Sequence, residues 1–177
     1  MSSSTPDGER VQQLVYDWLN RNYPEGPTWY AKSAASLALE IRMISAFDDV
    51  EYNVANGGWA QFLWNCFDYW RSAIEGAKAG YFLIGAPEQS AALETLRTLC
   101  ERDERECEAL LERSEAEFDE DRYGSPPFFA EFTSPSYSAP ASDWEPLFYS
   151  ERGVYEKRLV WLAANEARVR RAMGILD

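Results

Sequence analysis

Apolar residues recur at helical rather than strand spacing along nearly the whole chain, and that period decides the fold class. Leu93, Leu96, Cys100, Cys107, Leu111 and Phe118 fall on one face of a helix at about 100° per residue. Val11, Leu14, Val15, Trp18 and Leu19 follow the i, i+3, i+4, i+7, i+8 pattern. No apolar–polar alternation persists beyond a few residues, and no internal repeat is visible. These observations predict an all-α protein: a single-domain bundle of about six helices, with a long Pro- and aromatic-rich loop before the last one. At 177 residues the chain has the length of about one domain.

Local signals set the expected boundaries. Residues 1–6 read as a flexible tail, residues 7–177 as the helical domain, and Asp7 as a cap for the first helix. Pro24 and Pro27 end that helix. Ser33 caps a second, whose face carries Leu37, Ile41, Ile44 and Phe47. Residues 48–58 break the pattern, with Asn56 and Gly57 suited to a left-handed helix end. A third helix starts near Trp59 and buries Phe62, Leu63, Cys66 and Trp70. A fourth runs from about Ser72 to Ile84, where Ala73, Gly76, Ala77 and Gly80 allow another helix to come close. Gly85 stops it, and Pro87 suits the first turn of a long fifth helix that ends by Tyr123–Gly124. Residues 124–150 hold five prolines among many aromatics, too apolar for a free linker. A final helix begins between Ser150 and Val154 and reaches Met173.

Composition narrows the chemistry. The chain has no histidine, which excludes the Ser-His-Asp triad, Cys-His pairs and His-ligated metals. Its formal net charge is −13, which opposes direct binding to nucleic acid or to an anionic membrane surface. Aromatics at 15% distinguish it from a disordered acidic tail. Cys66, Cys100 and Cys107 form neither a disulfide framework nor a zinc pattern, and core positions are the better expectation for them. The first residues lack an apolar signal-peptide core, and no apolar run approaches the ~18 residues of a membrane span, so a cytoplasmic location is expected.

The acids are organised. Residues 101–121 contain eleven acids and three bases. Glu101, Glu104, Glu108, Glu112, Glu115 and Asp119 are spaced 3, 4, 4, 3 and 4 apart. On a helix they form one ridge about 27 Å long, with a carboxylate every ~5 Å. Like charges at i,i+4 cost a helix roughly 0.2–0.5 kcal/mol each. A solvated face that keeps the protein soluble accounts for such a ridge; so does a surface that presents regularly spaced anions as duplex DNA does. Residues 152–171, with six bases against two acids, carry the opposite charge. They complement the helix dipole, or pair with the acidic patch across a homodimer.

The most distinctive stretch is Asn56-Gly57-Gly58-Trp59-Ala60-Gln61-Phe62-Leu63-Trp64-Asn65. Asn56-Gly57-Gly58 makes a tight turn into a helix, and the Gln61 and Asn65 amides, four residues apart, need partners that tie the turn down. A Gly-Gly turn at a helix N-terminus can also bind an anion, but here Asp48, Asp49 and Glu51 would repel one, so a structural role is expected. Together with Leu83-Ile84-Gly85-Ala86, this segment resembles a bacterial DNA-mimic protein family (a DMP-type domain, formerly a domain of unknown function), over roughly residues 33–120. The resemblance implies an all-helical, non-catalytic protein without a cofactor. It implies an acidic surface that stands in for DNA and occupies a basic DNA-binding protein such as a transcription regulator. The motif residues Asn56, Gly57, Gly58, Trp59, Gln61, Phe62 and Asn65 carry over as fold-defining, and the segment 124–150 lies outside the pattern.

Three functions follow for test. In the first, the ridge, with Asp48, Asp49 and Glu51, meets a DNA-binding protein. In the second, the chain is an immunity or antitoxin-type inhibitor that grips a toxin with Trp144, Phe148 and Tyr149. In the third, Asp48, Asp49 and Glu51 hold Mg²⁺ or supply a general base, without any nucleophile motif beside them.

Overall fold

The computed structural model describes residues 4–24, 36–117, 144–149 and 153–175, with side chains described from 6 onward in the first helix and up to 113 in the long one. Within them are six α-helices and no strand: α1 (Ser4–Asn22), α2 (Leu39–Asn65), α3 (Trp70–Leu83), α4 (Pro87–Glu117), α5 (Val154–Ala164) and α6 (Glu166–Ala172). A 3-10 turn spans Glu145–Phe148. The fold is all-α. Ser33, Phe118 and residues 124–143 lie outside the described residues.

Short connections make α2, α3 and α4 a consecutive stack: Cys66–Tyr69 joins the first two, and Ile84–Ala86 the next two. The α1 helix lies along α5. One core joins both groups, and Ile41, Phe47, Phe62, Trp70, Leu96 and Leu162 are all within it. The stripe of the long helix is buried as its period requires, with Leu93, Leu96, Cys100 and Cys107 fully covered. All three cysteines are free and buried. Burial pushes the Cys66 and Cys107 thiols up to about 12, so they stay protonated and behave as small apolar side chains.

The small residues of α3 do what their size allows. A Cβ on Gly80 would come within 2.6 Å of the Phe47 ring and 2.7 Å of Met43 Cβ, so its absence sets the approach of α3 to α2.

Several boundaries differ from expectation. The α2 helix begins at Leu39 after Ala38, so Leu37 precedes it rather than lying on its face, and Trp70 opens α3 instead of belonging to the arm that starts at Trp59. The α1 helix begins at Ser4, with Asp7 inside its first turn rather than capping it. Residues 48–56 are helical and continue α2, because successive turns bury an apolar or amide side chain there: Val50, then Asn53 and Val54. The break falls only at Gly57 and Gly58, and it is Gly58, at φ +67° and ψ −161°, that takes a positive φ, in a region open essentially to glycine alone; Gly57, at φ −155°, does not. The expected last helix is divided at Asn165, which at φ −120° and ψ 20° caps one segment and starts the next.

Candidate functional site

The Gly57–Gly58 kink re-aims the chain so that Trp59 begins a new helical arm whose first N–H groups lack helical acceptors. One of them has an acceptor from far along the chain: the Trp59 backbone N–H donates to the Glu145 carboxylate. A Cβ at Gly58 would collide with Glu145 Oε1, so any side chain there would have to push that carboxylate aside, besides straining a backbone at φ +67°. The anion suited to a Gly-Gly turn is thus supplied by the protein itself. Burial raises the Glu145 carboxyl above its ordinary range, and the Trp59 N–H opposes the rise. Trp144 and Phe148 hold the segment in place. Both are buried, and Phe148 packs against Tyr81 with ring centroids 5.8 Å apart. Gln89 adds a hydrogen bond from Nε2 to the Leu147 carbonyl at 3.2 Å.

The motif amides also act inward. Asn53 is 4% exposed, and its Oδ1 accepts from Asn65 Nδ2 at 2.7 Å and from Gln61 Nε2 at 3.4 Å. Its own Nδ2 donates to the Asp49 carbonyl at 2.7 Å. The two arms of α2 are therefore cross-tied through one buried amide. Asn56 Nδ2 returns to the Tyr52 carbonyl at 2.6 Å. Phe62 is fully buried below the network.

Asp48, Asp49 and Glu51, expected to face a partner or a metal, are engaged within the chain, with Glu51 and Asp49 largely covered and Asp48 half-exposed. Arg158 of α5 is 2% exposed and reaches Asp48 Oδ1 at 2.8 Å and Glu51 Oε2 at 2.7 Å. The Tyr81 hydroxyl donates to Glu51 Oε1 at 2.9 Å, and the Tyr16 hydroxyl donates to Asp48. Two carboxylates, one guanidinium and two phenols thus join α1, α2, α3 and α5. Asp49 points into the crossing with Cys66 and Tyr69, where desolvation and then the Asp48 charge push its carboxyl up to about 7. Its Oδ2 is buried without a hydrogen-bond partner. Among the described residues, no group of three or more acids or cysteines has the geometry to hold a metal ion.

The acidic ridge of α4 is divided into two halves of different character. In the first half, Glu101 accepts from Arg97 at 2.6 Å, and Glu94 is shared by Arg97 and Lys78. Glu104 takes a two-pronged contact from Arg71, at 2.5 and 2.7 Å, and a third bond from the Trp70 indole at 3.2 Å. The guanidinium holds the Glu104 carboxyl below its ordinary range. This half is neutralised by its own neighbours. In the second half, Glu108 and Glu112 are exposed and have no ion-pair partner among the described residues. Asp68, exposed on the α2–α3 connection, faces the same cleft as they do. The Glu115 side chain and Asp119 lie outside the described residues.

Three residues of these arrangements escaped the sequence reading. Arg158 had a signal: with Val154, Leu159 and Leu162 it sits on the buried face of α5, where a lone cation needs internal acids. Glu145 and Asp68 had none, because each meets its neighbours across a distance in sequence that periodicity does not measure. The aromatic grip assigned to a toxin is largely spent internally, since Trp144 and Phe148 belong to the core. The basic residues of the C-terminal helices are partly spent as well, Arg168 on Glu40 at 2.5 Å and Arg170 on Glu166 at 2.8 Å.

No curated protein and no solved structure matches this chain. No helix among the described residues is long and apolar enough to cross a membrane. The family described as DMP19-like protein matches residues 35–152, a span that takes in the 124–150 segment together with Glu145. That family consists of non-enzymatic DNA mimics, whose partners are proteins that bind DNA. The match extends over the kink, its internal cap and the whole of the long acidic helix, and on that ground the chain belongs to the DMP19-like family of DNA-mimic proteins.

Proposed function

We propose that the protein is a non-catalytic DNA mimic that occupies and inhibits a basic DNA-binding protein, such as a transcription regulator. The observation that carries this reading is the uneven ridge of α4. Its first half is balanced by Arg97 on Glu101 and Arg71 on Glu104, whereas Glu108 and Glu112 stand free on a rigid helix with Asp68 beside them. Glu115 and Asp119 continue the same spacing in the sequence. Free carboxylates at fixed intervals on a rod meet a groove built for phosphates by the same electrostatics, and a net charge of −13 steers basic partners toward it. The Asp48–Glu51 group is the scaffold of this surface rather than part of it, because Arg158 already holds it.

The experiment is a lysate pull-down with two baits. One is the wild type; the other carries Glu108→Gln, Glu112→Gln and Glu115→Gln, leaving the internally paired Glu101 and Glu104 intact. The reading expects the wild type alone to retain a DNA-binding protein, which duplex DNA then elutes. Equal retention by both baits, or a captured protein that DNA fails to elute, overturns it.

A further inference from the structure

The unpaired carboxylates of α4 border a cleft whose lining also holds three aromatic rings, Leu111, Asn65 and a third acid, Asp68. The cleft measures about 300 Å³ and lies between the α2–α3 connection and α4. Trp64, Phe67 and Tyr69 supply ring surface, while Asp68 stands on one side and Glu108 and Glu112 on the other. All three rings are half-buried, and all three acids are exposed. Asn65, whose amide is fixed on Asn53, ties this wall to the Asn-Gly-Gly motif.

We infer that this cleft is a guanidinium pocket that receives one arginine side chain of the DNA-binding partner. The inference rests on the mimic reading and names the contact within it. Ring faces attract a cation through their quadrupole, and flanking carboxylates complete its charge and its hydrogen bonds. The planar guanidinium stacks on rings and forks onto carboxylates; an ammonium does only part of this. The volume is at the lower limit of ligand pockets, in keeping with a single long side chain rather than a cofactor. A bare divalent ion is disfavoured, because the three acids do not converge as metal ligands do. The same chain shows the chemistry internally: Arg71 lies 4.1 Å from the Trp70 ring centroid while forking onto Glu104.

The test titrates the full chain with N-acetyl-arginine methylamide, its lysine counterpart and the neutral citrulline counterpart. It reads NMR shifts of the Trp64 indole and of the amides of residues 64–69 and 108–112. The arginine compound is expected to saturate these signals, the lysine compound to bind several-fold more weakly, and the citrulline compound not to bind. Asp68→Asn with Glu108→Gln and Glu112→Gln should weaken the arginine compound at least tenfold. The charge-matched control Glu9→Gln, Asp17→Asn, Glu75→Gln, also at exposed positions, should leave it unchanged. Equal binding of citrulline, non-saturating shifts, or shifts spread over the acidic surface and equal in both variants would overturn the pocket. A protein that fails this titration but still yields its captured partner to DNA loses only the pocket. One that passes it but captures no DNA-competed partner loses the assignment of the arginine to a DNA-binding protein.

Discussion

The Glu145 carboxylate occupies the space that a side chain on Gly58 would require, and it accepts the first free N–H beyond that glycine, from Trp59. Two residues 87 positions apart thus share one turn of helix, and the kink and the distant segment are stabilised together. Gly58→Ala is expected to cost about 2–3 kcal/mol: roughly 1–2 for a Cβ at φ +67° and the rest for displacing Glu145. Glu145→Ala alone should cost about 1 kcal/mol, the usual scale of a lost cap. Urea unfolding of the double-mutant cycle checks the link. Gly58→Ala should be milder when Glu145 is already absent, and strict additivity would deny the shared turn.

Arg158 is the second long-range tie. Replacing it with Ala leaves Asp48 and Glu51 facing each other with two phenols and no cation, at an expected cost of about 3 kcal/mol. Adding Asp48→Asn and Glu51→Gln to Arg158→Met should recover part of that loss, because the desolvated charges go together. Chemical denaturation of the four proteins measures this directly. A single Arg158→Ala variant as stable as wild type would show that the network contributes nothing.

Asp49 gives the fold a pH signature. Its folded carboxyl is pushed to about 7, from an ordinary value of 3.8. The folded state therefore holds a proton that the unfolded chain has already released between those values. Stability from this group is complete below about pH 4 and declines as pH rises through 7. The Cys66 thiol beside it stays neutral throughout that window. Glu51 is raised in the same direction by its own burial. Asp49→Asn should thus stabilise the protein near pH 8 by about 2 kcal/mol and do little near pH 4. Denaturation midpoints at the two pH values check the sign, and a variant that is destabilised at the higher pH contradicts it.

The α2–α3 crossing is tight enough to refuse one methyl. Gly80→Ala should cost about 1–3 kcal/mol through the Phe47 ring and Met43 Cβ, despite the better helix propensity of alanine. Thermal unfolding of Gly80→Ala with and without Phe47→Leu separates the two effects: the smaller neighbour should make the added methyl less harmful.

Helical period made the fold class legible, as well as α3, the start of α4 and the buried stripe of Leu93, Leu96, Cys100 and Cys107. It failed at residues 48–56, where Asp48 and Glu51 look like a solvated break but face a buried arginine more than a hundred residues later. It also hid the break at Asn165, since the apolar positions continue on both sides. The ridge was legible as spacing. Its division into a paired and a free half was not, because Arg71 reaches Glu104 from another helix. The Gln61 and Asn65 amides were expected to need local partners, and Asn53 provides them from the preceding arm of α2.

The central claim is that free carboxylates on α4 stand in for DNA. The most direct measurement is competition between this protein and labelled duplex DNA for the purified partner, at two salt concentrations. It uses wild type and the Glu108→Gln, Glu112→Gln, Glu115→Gln variant. The account predicts mutually exclusive binding, an affinity that falls with added salt, and at least a tenfold loss in the variant. A ternary complex with DNA, or a salt-insensitive affinity equal in both proteins, would contradict it.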